Sequence, residues 1–151
     1  MDRLENNINK KVYAYIITCI NADKHLLVFN HVNSPEAGTQ VPGGSVEPGE
    51  NVVAAVVREA QEETGIENLH FIKKLGVVIR DMTEFGLPEV QERHYFLLRC
   101  VDPPEGTWIS YEKTPSDGTP GPIAFRFYWA RLDKVPELRA GLDEMLPKLM
   151  C

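Results

Sequence analysis

The sequence is poor in cysteine, which excludes a disulfide-stapled protein and a protein with a cysteine-based zinc site. Its 151 residues contain three cysteines, Cys19, Cys100 and Cys151. Because their number is odd and their spacing unpaired, they form neither a disulfide framework nor a zinc-binding pattern. Cys19 and Cys100 lie in strand-like segments, so we expect both to pack in the core.

Long apolar runs and an excess of positive charge are also missing. No run approaches membrane-spanning length, and residues 1–11 are polar and charged rather than signal-like. We therefore expect a cytoplasmic protein with no membrane partner. The net charge of −6 repels polyanions, which argues against nucleic acid as a partner. Repeats and linkers are absent as well, so we expect one domain over residues 1–151.

The apolar segments predict a sheet combined with helices. Residues 12–20 are apolar on both alternating faces, which predicts a central strand, and residues 25–29 return after a turn as its hairpin partner. Pro136 is placed to begin a terminal helix from Glu137. Further strands are expected at residues 75–80, 93–101, 108–111 and 123–132. Together with a helix after Asn51, these elements predict an α/β layered domain.

The segment from Val41 to Ile66 predicts a glycine-rich loop followed by a helix. Asn51 is suited to cap the free amides of the first turn, and Gly65 stands where a left-handed residue would end the helix. A stripe at helical spacing is expected to pack on the core: Val53, Val57, Ala60 and Thr64.

Glu59, Glu62 and Glu63 fall within an arc of roughly 100° on that helix. They repel one another near the helix C-terminus, where the dipole already disfavours negative charge, and Arg58 is the one cation beside them in the sequence. The simplest interpretation is that these glutamates form a solvated acidic face of the helix. A hard divalent ion such as Mg²⁺, which takes oxygen ligands, would instead make the arrangement favourable.

The glycines before the helix support the metal reading, because they let backbone approach closely and present carbonyls or amides. These glycines and the helix together resemble the signature of the Nudix hydrolases, over 23 residues. The matching pattern is Gly44, five residues, Glu50, seven residues, then Arg58-Glu59-Ala60-Gln61-Glu62-Glu63-Thr64-Gly65-Ile66.

The resemblance implies the Nudix fold, an α/β/α sandwich around a mixed β-sheet. It implies a Nudix pyrophosphohydrolase that uses Mg²⁺, with Mn²⁺ as a substitute, to hydrolyse a phosphoanhydride bond in a nucleoside diphosphate linked to another moiety. A rival reading is a catalytically silent nucleotide-binding module with the same fold. A homodimer is a weaker expectation, carried only by the family.

The resemblance also assigns site residues. Glu59, Glu62 and Glu63 match metal-binding positions, with a further contribution from Gly44 and Glu50. The expected catalytic residues are Arg58, Glu59, Glu62 and Glu63. In this set Arg58 holds the glutamates in place, and the general base is Glu62, Glu63 or a loop residue. A further acidic ligand is expected among Glu84, Glu89, Glu92, Glu105, Glu112 and Asp117.

Substrate contacts are expected outside the signature. Arg80 and Arg93 stand near predicted strand ends and could contact phosphate, although structural ion pairs are an equal alternative. Trp108, with Phe85 and Tyr111, lies in a loop-rich region and could stack on a base, although aromatic residues are more often core.

Overall fold

Seven strands and one α-helix form within residues 8–112 and 122–149, the part of the chain that the computed structural model describes. The helix, α1, spans Val52–Thr64. The strands are β1 (Ile8–Ile20), β2 (Asp23–His31), β3 (Gly43–Ser45), β4 (Leu69–Asp81), β5 (Val90–Cys100), β6 (Trp108–Glu112) and β7 (Ile123–Arg131). Short 3₁₀ turns lie at Pro35–Ala37, Met82–Phe85, Leu132–Lys134, Arg139–Gly141 and Leu146–Leu149.

One mixed sheet contains all seven strands: six follow the order β4-β5-β1-β2-β7-β6, and β3 pairs with β1 outside this order. β1 lies in the middle, as its apolar faces predict, and runs parallel to β5. On its other edge, β2 pairs with the end of β1 from Ile17 and β3 pairs with Lys11 to Tyr13. The sheet therefore divides between β2 and β3, and this division opens the cleft described below.

The sheet carries a hydrophobic core on each face because side chains alternate along its strands. The α1-side core joins Val12, Ala14 and Ile16 of β1 to Ala55, Val56 and Ala60 of α1. The far-side core joins Tyr15, Tyr95 and Val41 to Leu138 and Leu142 of the C-terminal segment.

The mixed α/β class expected from the sequence is confirmed, and so is the central position of β1. The helix stripe was right at three of its four positions. Ala60 and Thr64 are buried and Val57 packs against the α1-side core, whereas Val53 is 37% exposed. Val56, which the stripe did not include, is fully buried. Cys100 is buried as expected, but Cys19 is exposed at the hairpin end of β1.

The terminal α-helix expected from Glu137 is wrong. Residues 132–149 instead form separate 3₁₀ turns, and Ala140 and Gly141 interrupt them with φ values of 54° and 73°. Long-range hydrogen bonds fix this path: the Arg139 amide donates to the Thr39 carbonyl, and the Tyr15 hydroxyl donates to the Leu142 carbonyl. Tertiary contacts override helix propensity here. No helix in the described residues is long and apolar enough to cross a membrane.

Glu144 fastens this C-terminal segment to the sheet. Its carboxylate accepts hydrogen bonds from Arg93 at 2.9 Å, Arg80 at 2.9 Å and the Tyr95 hydroxyl. Arg93 is only 1% exposed, so its charge depends on this partner. Removing one member of such a buried pair leaves an uncompensated charge.

We expect Glu144→Gln to lower the free energy of unfolding by about 3 kcal/mol, because the Arg93 guanidinium then stays buried without its counterion. Urea denaturation measures the change. The matched control is Glu84→Gln, since Glu84 also pairs with Arg80 but its side chain is 58% exposed. The free energy of unfolding of Glu84→Gln should stay within about 0.5 kcal/mol of the wild-type value. Equal effects of the two substitutions would contradict the assigned role.

Candidate active site

Local sequence signals fix both ends of α1. The Asn51 side chain accepts hydrogen bonds from the amides of Val53 and Ala54 at 2.8 and 3.3 Å. Gly65 ends the helix with φ 78°, a left-handed conformation that suits glycine. Four charged groups of the signature therefore lie on one rigid helix, Arg58, Glu59, Glu62 and Glu63, and the fifth, Glu50, lies in the loop before it.

Arg58 binds three carboxylates at once. Its Nε and Nη2 atoms donate to the two oxygens of Glu50 at 2.7 and 2.8 Å, and its Nη1 donates to Glu59 at 2.9 Å and to Glu62 at 3.4 Å. The guanidinium lowers the pKa of Glu50 to about 2. This geometry agrees with the expectation that Arg58 orients the glutamates.

Glu63 is the buried member of the acidic group, with 8% of its surface exposed. Burial raises the pKa of its carboxyl group well above the ordinary value, and the nearby charges of Glu112 and Glu59 raise it further. The Gly43 amide acts in the opposite direction by hydrogen bonding to the carboxylate. The Oε1 atom of Glu63 is buried and has no hydrogen-bond partner among the described residues.

The three signature glutamates do not converge as the helical arc suggested. Glu62 is 63% exposed and turned toward Arg58, whereas Glu63 points into the protein. Within residues 8–112 and 122–149, no three His, Cys, Asp or Glu side chains come close enough to hold a metal ion in this arrangement. The reason is that Arg58 draws Glu59 and Glu62 to its own side, while Glu63 is held near Gly43.

β3 has little side-chain bulk because two of its residues are glycines. A Cβ atom on Gly44 would lie 2.3 Å from the carboxyl carbon of Glu59, and one on Gly43 would lie 2.5 Å from the Tyr13 ring. Both distances are shorter than any real contact, so side chains are excluded on both faces of the strand. Gly44 therefore brings backbone against Glu59, as the signature predicts for a close approach.

This group of residues fits a hard divalent cation. The available donors are carboxylate and backbone oxygens, the ligands that Mg²⁺ prefers. The unpartnered Oε1 of Glu63 needs either a proton or a cation, because a buried charged oxygen without a partner is costly. Burial also raises the pKa of Glu59, although Arg58 lowers it in part. A cation would favour the charged forms of both.

The predicted substrate residues are dispersed. Arg93 lines the cleft, whereas Arg80 and Trp108 do not. Arg93 and Arg80 both bind Glu144, and the Trp108 indole donates to the Thr64 carbonyl at 2.9 Å and stacks on Phe127. These contacts are structural.

Among the candidate acids, Glu112 lies nearest to the chemistry, because it lines the cleft and acts electrostatically on Glu63. Glu92 pairs with His94, Glu84 pairs with Arg80, and Glu89 binds Asn9 and Gln91. Glu105 is exposed, and Asp117 falls outside the described residues.

Lys11 is a site residue that sequence reasoning missed. It lines the cleft, its Nζ donates to the Ser45 hydroxyl at 3.0 Å, and its charge lowers the pKa values of Glu59 and Glu63. Lys11 lies far from the helix in sequence, so pairing of β1 with β3 is what brings it there. No local sequence signal could have identified it.

A family model described as "NUDIX domain" matches residues 10–149. The chain belongs to the NUDIX family. This confirms the resemblance drawn from the signature and, with the relatives below, the predicted pyrophosphohydrolase class.

Relatives of known name match only part of their own length. An RNA pyrophosphohydrolase of Rickettsia africae is 27% identical over 77% of this chain and 72% of the relative. An RNA pyrophosphohydrolase of Pelagibacter ubique is 29% identical over 56% of this chain and 59% of the relative. The NAD-capped RNA hydrolase NudC of Salmonella agona is 30% identical over 85% of this chain, which spans about half (49%) of that protein.

Solved structures support the fold at lower identity. A C. elegans Ap4A hydrolase has a TM-score of 0.67 with 16% identity, over 94% of this chain and 95% of its own. A MutT NUDIX hydrolase from Burkholderia pseudomallei has a TM-score of 0.62 with 22% identity, over 94% and 98%. At such identities the likeness shows the shared fold alone.

We expect Arg58→Met to raise the pKa of Glu50 from about 2 toward the ordinary value of about 4.3, because the bidentate guanidinium contact is lost. NMR titration of the side-chain carboxyl measures both states. Asp81 is the internal control, because contacts with Thr83 lower its pKa independently of Arg58. An unchanged Glu50 titration would show that Arg58 is not its counterion.

Proposed function

We propose that the protein is a Mg²⁺-dependent hydrolase that cleaves a phosphoanhydride bond in a nucleoside diphosphate linked to another moiety. The observation that carries the proposal is Glu63. This buried carboxylate has an unpartnered oxygen and is close enough to Glu59 and Glu112 to be affected by both charges, while Arg58 holds Glu59 and Glu62. A solvated acidic face, the plain alternative, would not bury this group.

In this proposal Glu59, Glu62 and Glu63 hold the divalent cation, and Gly44 and Glu50 support the site from the loop. The bound cation, Mg²⁺ or Mn²⁺, would neutralise phosphate charge and lower the pKa of a bound water. Arg58 acts through the glutamates, since it fixes Glu50 and Glu59 at 2.7 to 2.9 Å.

The proton from the attacking water goes to a signature glutamate. The carboxylate of Glu62 is 63% exposed, so it can accept a proton in the cleft and release it to solvent. Glu63 is buried and cannot exchange a proton with bulk water so directly. We therefore assign the general base to Glu62 and an anchoring role to Glu63.

Lys11 supplies positive charge for the phosphate chain. Of the cleft-lining cations, Arg58 is paired with acids of the signature, Arg93 is paired with Glu144, and Arg139 lies on the C-terminal segment. Lys11 has no ion pair among the described residues, its Nζ donates to the Ser45 hydroxyl, and its charge acts on both Glu59 and Glu63. A lysine in this position can reach a phosphate oxygen as a point charge. The predicted substrate contact of Arg93 is retained, because Arg93 lines the cleft, whereas Arg80 and Trp108 support the walls.

The names of the relatives include RNA pyrophosphohydrolase and NAD-capped RNA hydrolase, so RNA, including NAD-capped RNA, belongs among the candidate substrates. The net charge of −6 favours small nucleotide derivatives over long RNA. A cytoplasmic location, a single domain over residues 1–151 and a homodimer stay predictions.

The decisive experiment is a screen against nucleoside triphosphates, nucleotide sugars, dinucleotides and 5′-triphosphate RNA, with product analysis at several Mg²⁺ concentrations. The hydrolase should release phosphate or a nucleoside monophosphate only when metal is present. A silent module would bind a nucleotide and yield no product at any metal concentration, and that outcome would overturn the proposal.

We expect Glu63→Gln to lower kcat by about a hundredfold or more, since it removes a charged metal ligand and little packing volume. Steady-state kinetics with Mg²⁺ measure the loss. Glu67→Gln makes the same chemical change on an exposed residue just beyond the helix and should keep wild-type kinetics. A folded Glu63→Gln protein with normal turnover would remove Glu63 from the machinery.

We expect Lys11→Met to lower kcat/KM by about tenfold, because a charge-assisted contact with phosphate is lost. The adjacent Lys10→Met is the control: Lys10 alternates to the other face of β1, is 50% exposed and pairs with Glu92 at 3.8 Å. If both substitutions had the same effect, the result would reflect net charge rather than a contact by Lys11.

A further inference from the structure

Outside the cleft, three side chains form a hydrogen-bonded line on the α1-side face of β4 and β5. The Nζ atom of Lys74 lies 3.1 Å from Nδ1 of His94, and Nε2 of the same ring lies 2.7 Å from a carboxylate oxygen of Glu92. These three residues do not line the cleft, so the proposed hydrolysis does not use them. They form a separate group of titratable side chains with an amine at one end.

Two β-bulges place Lys74 on this face. The register of β4 against β5 shifts once before Lys73 and once after Lys74. In a regular strand side chains alternate, so Lys73 would share the face of Phe71. With the shifts, Lys74 instead lies opposite Phe96 of the α1-side core. Lys73 lies opposite Leu97 of the far-side core, so the bulges have exchanged the faces of the two lysines.

The contact with Lys74 determines the tautomer of His94. A lysine ammonium has hydrogen-bond donors and no acceptor, so Nδ1 of the ring must be the unprotonated acceptor. The ring proton is then on Nε2, which donates to Glu92. This hydrogen bond lowers the pKa of Glu92, so the acceptor is a carboxylate. His94 therefore turns its basic nitrogen toward the amine and its N–H toward the carboxylate.

This arrangement has the parts of an activated nucleophile. Such sites combine a nucleophile, a base and a third group that orients the base, each within hydrogen-bond reach of the next. Here the nucleophile is a lysine amine, whose lone pair stays free when one of its N–H groups donates to Nδ1. Lys74 is exposed, whereas His94 is only 8% exposed. The amine is therefore open to a reagent from solvent, while its base is held in a fixed position.

We propose that Lys74 is an acylation site, at which an acyl phosphate or an acyl thioester transfers its acyl group to the Nζ atom. The neutral amine attacks the carbonyl carbon and forms the C–N bond. As this bond forms, the nitrogen passes a proton to Nδ1 of His94. The bond from the carbonyl carbon to the phosphate oxygen or thioester sulfur then breaks, and phosphate or thiolate leaves with the electron pair. The product is an amide, and His94 returns its proton to solvent.

The surface around Lys74 suits an acyl group. Phe71, Val77 and Ile79 lie on the same face of β4 and are exposed. The alkyl part of an acylated lysine can cover some of this apolar surface, which is favourable in water. The amide product carries no charge, so it can also pack on the Phe96 ring, whose centroid lies 5.8 Å from Nζ.

The test measures the acetylation rate of each lysine in the folded protein by peptide mass spectrometry, with acetyl phosphate and acetyl-CoA as separate probes. Lys73 is the internal reference, because it is adjacent and exposed, lies on the opposite face and has no side-chain partner among the described residues. Lys74 should react at least about tenfold faster than Lys73 with one of the probes, since general-base catalysis contributes roughly 10²–10⁴-fold. The faster probe identifies the class of acyl donor.

His94→Gln should lower the Lys74 rate to within about twofold of the Lys73 rate, because the base is lost, and should leave the Lys73 rate unchanged. Glu92→Gln should also lower the Lys74 rate, since Glu92 is the positioning residue that orients the ring. The matched control is Glu84→Gln, which removes one negative charge from an exposed side chain and should change neither rate.

If His94→Gln does not fold, as judged by its thermal unfolding curve, Glu92→Gln carries the comparison, because the Glu92 side chain is 30% exposed. Equal wild-type rates at Lys73 and Lys74 with both probes would overturn the proposal. So would a Lys74 rate that survives both substitutions, or a parallel change at Lys73, which would indicate a structural effect. Acetylation is measured without a nucleotide, so the result does not depend on the proposed hydrolysis.

Discussion

The Arg58 guanidinium is the interaction on which the site depends. It offers a rigid planar set of donors and uses them on Glu50, Glu59 and Glu62, so the loop before α1 and the helix are held together by one cation. Lysine could not reproduce this, because an ammonium group lacks the fork geometry. With Arg58 occupied in this way, the remaining demand for positive charge falls on Lys11 and on a bound cation.

A second ionic cluster joins the sheet to the C-terminal segment. Glu144 gathers Arg93, Arg80 and Tyr95 and thereby fixes the C-terminal segment, which has no α-helix of its own in the described residues. The two clusters are opposite in character. Around Arg58 one cation serves several acids, whereas around Glu144 one acid serves several donors. The first cluster joins the loop before α1 to the helix, and the second joins β4 and β5 to the C-terminal segment.

The sequence could predict what depends on near neighbours. Asn51 and Gly65 act within a turn of their own positions, so the ends of α1 were predictable, and the signature spacing identified the acidic group. The path of residues 132–149, where the sequence predicted a helix, could not be predicted in this way. Contacts of Tyr15 and Thr39 with distant residues decide that path. Lys11 escaped notice for the same reason, since strand pairing alone brings it to the cleft. The burial of Glu63 depends on where α1 packs on the sheet, and helical periodicity in the sequence does not reveal that position.

The paired glycines of β3 have a consequence for how such a protein can diversify. Gly43 and Gly44 form a partition one peptide chain thick between the Tyr13 ring and the Glu59 carboxylate, and neither position has space for even a methyl group. A change there would disturb an aromatic wall and a carboxylate together, so this partition is closed to gradual remodelling. New substrate preferences must instead arise elsewhere in the cleft lining, where a substitution leaves the partition intact.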